Sequence, residues 1–160
     1  LRLLMYSGFW NSKPFSRNSG TFTCVRPGKS HGTAIGGNLT TFRGLLGTPY
    51  MPSLFNSILF LEDQEIEGYE LAVNLLQLSL AGVFDNAAGI VFGEFSKVPK
   101  KIDRGDPSVE EVISYFLKNG PPCISGLNFS HGKTQAIIPI GCKTALDANA
   151  GTVFFESPFR

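Results

Sequence analysis

Two carboxylates and one imidazole stand where acid–base chemistry would need them. Glu62 and Asp63 close the apolar run SILFLED, and His131 lies in the loop GLNFSHG, just ahead of the alternating stretch TQAIIPIG. His131 is one of two histidines in the chain. When a carboxylate holds one ring N–H of a histidine, the tautomer is fixed and the other nitrogen is left to take a proton. The end of a buried strand is also where open sheets place working side chains. Residue chemistry alone leaves a plainer alternative open, a solvent-facing strand-end glutamate and a polar loop histidine.

A base needs a nucleophile, and the sequence shows none in a working context. There is no G-x-S-x-G elbow. Ser130-His131-Gly132-Lys133 matches S-x-x-K, but that motif works on a helix, and Gly132 and the alternation after it predict extended chain. Neighbours on an extended chain point to opposite faces, so Ser130 should face away from His131. The stretch GTAIGG lacks the spacing of a dinucleotide loop and the Lys-Ser/Thr of a phosphate loop. Its glycines read as a tight turn or a close backbone approach. Cys24, Cys123 and Cys142 are far apart and form no C-x-x-C pair. Zinc and thioredoxin chemistry are not indicated, and three free, mostly buried thiols in a reducing cytosol are expected.

The elements that must position these groups follow from periodicity and punctuation. TFTCVRPG predicts a strand turning at Pro27-Gly28. Asn38 or Thr40 caps a short helix through Leu46, with Gly47 as its stop. SILFLED and AAGIVFGEF read as buried strands. Leucines 71, 75 and 78 recur at helical spacing up to Gly82, with Glu67 and Glu70 in the first turn. DPSVEEVISYFLKNG is a second helix, capped by Ser108 and closed by Lys118 and Gly120. PPCISG is a short strand, and TQAIIPIG, KTALDAN and GTVFFE are three close strands turning at Gly141 and Ala150-Gly151. The order predicts an α/β fold with a mixed sheet, helices on one side and an antiparallel patch on the other.

Bulk properties narrow the function classes. At 160 residues, one domain with a real core is expected. The content is 42% hydrophobic and 17% charged, which excludes disorder, and the net charge of +1 draws neither nucleic acid nor an anionic membrane. Lys100, Lys101 and Arg104 cluster, but Asp103 and Asp106 interrupt them as in a solvated loop. No apolar run reaches the roughly 20 residues of a membrane helix. Residues 1–20, rich in Ser, Asn and Gly, read as a linker or arm ahead of one domain over 21–160. Without an initiator Met or a cleavage site near the start, the chain is expected to be a fragment or a processed piece.

Four stretches together carry a family likeness. GTAIGGNLTTFRGLLGTPYMPSL, SILFLEDQE, AAGIVFGEF and SGLNFSHGKTQAIIPIGCKTALDANAGTVFFES occur in the order and spacing of the LD-carboxypeptidases. The likeness runs from about residue 32 to residue 156. That family includes muramoyltetrapeptide carboxypeptidases and microcin C self-immunity peptidases, serine peptidases with a Ser-Glu-His triad. The chain resembles only their C-terminal domain, a swivelling β/β/α unit. The resemblance implies that Glu62 in LFLED is the triad glutamate and His131 in FSHG the triad histidine. It implies a nucleophilic serine on an N-terminal domain absent from this chain, and no metal or organic cofactor. Gly36, Gly37 and Asn38 lie in a family motif and are candidate substrate-binding residues, with a structural turn as the alternative.

The resemblance further implies a cytoplasmic enzyme with a peptide substrate, a muropeptide or a peptidyl-nucleotide. Its expected partners are the N-terminal domain of the same enzyme and, as in other family members, a second copy as a homodimer. Trp10, the only tryptophan, is the residue that could stack a nucleobase. A non-catalytic peptide-binding domain is the reading from outside the enzyme class.

Overall fold

The protein is described by a computed structural model covering residues 22–95, 105, 107–131 and 136–156. The expected arm at 1–20 with Trp10, the Lys100–Asp106 cluster and Gly132-Lys133 lie outside these residues, apart from Gly105.

Among the described residues, seven strands and four helices follow in the order β1 (Thr23–Arg26), β2 (Lys29–Asn38), α1 (Leu39–Arg43), β3 (Ser57–Glu62), α2 (Gly68–Leu80), α3 (Val83–Asn86), β4 (Gly89–Gly93), α4 (Val109–Leu117), β5 (Cys123–Leu127), β6 (Lys143–Asp147) and β7 (Thr152–Phe155). They build one sheet in the order β1-β5-β4-β3-β2-β6-β7. The four central strands, β5, β4, β3 and β2, run parallel, and β1, β6 and β7 add antiparallel edges. SILFLED and AAGIVFG are therefore neighbours, paired from Ile58↔Gly89 to Leu61↔Phe92. Both are buried along their length, as strands covered on two faces must be.

Alternation along β3 sorts the core. Leu59 and Leu61 face the helices, in one cluster with Leu71, Leu75 and Leu78 of α2 and Val112, Ile113 and Leu117 of α4. Ile58 and Phe60 face the other way, in a cluster with Val91, Ile124, Phe129, Leu146 and Val153. Side chains of β6 and β7 reach that second cluster because the sheet curls, which brings the Phe155 ring to 5.7 Å from that of Phe60. The helices begin where acids and caps put them. The α4 box pairs the Ser108 hydroxyl with the backbone N–H of Glu111, and the Glu111 carboxylate with that of Ser108. Glu67 and Glu70 build the same box on α2, with Glu67 outside the helix as its cap rather than inside its first turn.

Three expectations are corrected and one alternative is decided. Of the two readings of the glycine-rich stretch before Asn38, a tight turn or a close backbone approach, the second holds: the stretch is the ten-residue strand β2. Its glycines let β3 come close: a Cβ on Gly32 would meet the Asn56 carbonyl, and one on Gly36 the Phe60 carbonyl. Helix α1 ends at Arg43 with Gly44 as its C-cap, short of Leu46 and Gly47, and single turns follow. Within TQAIIPIG, residues 136–141 are not a strand. The alternation is real, with Ala136 and Ile138 packed on the second cluster and Ile137 and Ile140 exposed. However, Pro139 has no N–H for a ladder, and β6 already occupies the edge of β2. Of the three free thiols only Cys123 is buried, Cys24 being exposed and Cys142 intermediate. Burial raises the pKa of the Cys123 thiol.

Candidate active site

The parallel strands β2, β3 and β4 end together, and the candidate residues collect at that end. Glu62 is the last residue of β3, in register with Asn38, the last of β2. Strand alternation turns Glu62 to the face that carries Phe60 and Phe129. His131 reaches the same place from the loop after β5. Phe129 packs edge-on against Phe60, ring centroids 5.6 Å apart, and its N–H donates to the Leu127 carbonyl at 2.8 Å. The Asn128 carbonyl accepts from the Ala136 N–H at 2.8 Å, which ties off the far side of the loop.

Nδ1 of His131 lies 3.0 Å from Oε2 of Glu62, within hydrogen-bond reach although 69 residues separate them in the chain. The glutamate side chain is 13% exposed and the histidine 47%. The acceptor is thus largely withdrawn from water while the imidazole opens outward. With a proton on Nδ1 donated to Glu62, Nε2 carries a lone pair and can act as a base.

Two residues make this contact sterically possible, and the sequence did not single out either. A Cβ on Gly93 at the end of β4 would stand 2.9 Å from the Glu62 Cβ and 2.7 Å from the Phe129 carbonyl. Only a bare backbone lets the two sides of the pair close over β4. Phe129 anchors the loop, and its spacing from His131 could have flagged it as a packing residue.

Of the other candidates, Gly36 and Asn38 have structural duties. Gly36 sits at φ +138°, against the Phe60 backbone, so it is required by strand packing. A Cβ on Gly37 would meet nothing within 4 Å. Asn38 caps α1: its Oδ1 accepts from Thr41 N at 3.0 Å and Thr41 Oγ1 at 3.1 Å, while its Nδ2 donates to Asp63 Oδ1 at 2.8 Å. One amide hydrogen remains for any other partner.

No serine hydroxyl is hydrogen-bonded to His131 among the described residues. Ser57 is fully buried at the opposite end of β3, where its hydroxyl donates to the Leu54 carbonyl at 2.7 Å. The Ser130 hydroxyl is buried while the adjacent His131 opens to solvent, so the two face different surroundings. A cavity of about 340 Å³ lies by the start of α2, lined by residues that include Arg43, Asp63, Tyr69 and Asn74 but neither Glu62 nor His131. Among the described residues, no three His, Cys, Asp or Glu side chains group as metal ligands would, and no helix is long and apolar enough to cross a membrane.

Residues 31–146 match the family model described as the LD-carboxypeptidase C-terminal domain. A probable murein peptide carboxypeptidase of Bacillus subtilis is 34% identical over 133 residues, covering 82% of this chain and 41% of that protein. The microcin C7 self-immunity protein MccF of Escherichia coli is 33% identical over 124 residues, 75% of this chain and 35% of its own length. The fold superposes on a crystal structure of muramoyltetrapeptide carboxypeptidase from Oxalobacter formigenes with a TM-score of 0.73 and 29% identity, covering 84% of this chain and 48% of that one. The chain spans about two fifths of the length of the curated relatives it matches.

Proposed function

Because the chain belongs to the LD-carboxypeptidase C-terminal domain family, we propose that it supplies the glutamate and histidine of a Ser-Glu-His triad whose serine lies on an N-terminal domain of the same enzyme. The substrate in this reading is a murein tetrapeptide, and the bond cleaved is the L,D peptide bond that releases terminal D-alanine. The setting is cytoplasmic peptidoglycan recycling.

The observation that carries the proposal is the 3.0 Å approach of His131 Nδ1 to Glu62, on a histidine side chain about half exposed. In the assembled enzyme Nε2 takes the proton of the serine hydroxyl as its oxygen attacks the scissile carbonyl. Glu62 holds the ring and stabilises the imidazolium. His131 then returns the proton to the D-alanine nitrogen, the C–N bond breaks and an acyl-enzyme remains. Water, deprotonated by the same nitrogen, hydrolyses that ester and frees the serine. Glu62 and His131 neither supply a nucleophile nor build an oxyanion hole, so the chain by itself is inactive in this reading.

A second reading stays within the mechanism and changes the substrate. The 33% identity to the microcin C7 self-immunity protein supports an amide between a peptide and a nucleotide as the bond cleaved. Assaying the full-length parent on a murein tetrapeptide and on a peptidyl-nucleotide amide separates the two. On the preferred substrate, His131→Ala and Glu62→Gln should each lower kcat by about 10³-fold or more with KM nearly unchanged. Retention of full activity by either variant refutes the assigned roles. A parent with no serine-bearing domain would leave a non-catalytic peptide-binding domain instead.

A further inference from the structure

We infer that Asp63 is a positioning residue for the Glu62–His131 pair: its buried carboxylate ties the end of β3 to the end of β2 and the start of α1, and so sets the backbone from which Glu62 reaches His131. The inference rests on the triad reading above and assigns a role to a residue that this reading leaves idle.

Asp63 is only 6% exposed. Its Oδ1 accepts from Asn38 Nδ2 at 2.8 Å and from the Gln64 N–H at 2.9 Å. Its Oδ2 accepts from the Thr40 N–H at 3.1 Å and the Thr40 hydroxyl at 2.7 Å. Four donors use the full acceptor capacity of a carboxylate, two on each oxygen. Three of the four come from residues 38 and 40, more than twenty positions away in the chain.

The geometry links this clamp to the dyad. Glu62 and Asp63 are successive residues leaving a strand, so they point to opposite faces. One carboxylate is locked on the helix side while the other projects toward His131. Asn38, which donates to Asp63, is also the register partner of Glu62 across β2 and β3. A turn of the chain at residue 63 would swing the root of the Glu62 side chain. Asparagine at 63 could keep two donors on its oxygen, but its NH2 would face the Thr40 N–H, donor against donor.

A purely structural role would cost stability and leave the imidazole untouched, so the decisive readout is the tautomer of His131. Ring ¹⁵N shifts report it directly in the intact chain at alkaline pH, where imidazoles are neutral. The His31→Gln spectrum separates the two histidines. The wild-type chain should carry its proton on Nδ1, and Glu62→Ala marks the shift produced by complete loss of the acceptor. Asp63→Asn should raise the Nε2–H population about twofold or more. Thr40→Val, which removes one donor, should move it less in the same direction, and Thr40→Ser should restore it. If Glu62→Ala shifts the tautomer while Asp63→Asn and Thr40→Val, both folded, leave it at the wild-type value, the positioning role is overturned and the dyad stands. If Glu62→Ala changes nothing, the dyad falls and the inference falls with it. Should Asp63→Asn fail to fold, Thr40→Val decides alone, and an unmoved tautomer refutes the role.

Discussion

The Glu62–His131 contact depends on a residue with no side chain. Gly93 leaves room for the Glu62 Cβ and the Phe129 carbonyl, each under 3 Å from where its own Cβ would be. Neither neighbour is the free end of a flexible side chain, so Gly93→Ala must displace β3 or the histidine loop. Overpacking of this kind costs about 1–3 kcal/mol. The chain should lose several degrees in thermal midpoint, read by circular dichroism. In the full-length parent, Gly93→Ala should lower kcat more than it raises KM, because the base is misplaced while the cleft persists. An unchanged melting curve together with unchanged kcat would show that the pair tolerates a shift at β4. In the sequence, Gly93 was one of the glycines scattered through apolar runs, and nothing local distinguished it.

Among the elements, the β2–β6 pairing shows how edge strands are held. Lys29 and Asp147 are directly opposite in register, and their side chains form an ion pair at 2.8 Å. Asp147 also accepts from the backbone N–H groups of Asn149 and Ala150, ordering the turn into β7. The hydrogen bond from Lys29 leads the causes that lower the Asp147 pKa, and the same bond to Asp147 raises that of Lys29. For a depressed carboxylate the linked stability is present above the unfolded pKa, about 3.9, and is lost as pH falls through the lower folded value. Asp147→Asn should therefore be slightly less stable than wild type at pH 7, and the difference should close as the pH falls below the ordinary carboxylate range. A gap that widens on acidification would contradict this. At this scale α2, α4, β3 and β4 were legible because leucine spacing, capping acids and uninterrupted apolar runs are local signals. Strand β2 was not, because its glycines serve the approach of β3, a neighbour that local pattern does not reveal.

Over the whole molecule, the curled sheet brings Glu62 and His131 together, and among the described residues no serine hydroxyl is hydrogen-bonded to that histidine. Ser57 lies at the far end of β3 from Glu62, five residues or roughly 17 Å away, and Ser125 is buried within β5. The Ser130 hydroxyl is buried beside an imidazole that opens outward. The isolated chain should hydrolyse no murein tetrapeptide and should not react with a serine-directed fluorophosphonate, whereas the full-length parent should label at one serine outside this domain. Stoichiometric labelling of a serine in the isolated chain, located by mass spectrometry, would overturn the split site and return attention to Ser130. The sequence by itself determined the Ser108 cap of α4, the buried strands β3 and β4 and the identity of the candidate pair. Those features are written in residue type, in short-range spacing and in four motifs held in register along the chain. Only the tertiary structure decided that β2 is a strand, that 136–141 is not one, and that Asp63 turns away from Glu62 to clamp β2 and α1. It alone placed His131 at 3.0 Å from Glu62. Contacts across 69 residues depend on how far one backbone approaches another, and that distance is set by the packing of Phe60, Phe129 and Gly93 together rather than by any one stretch of sequence.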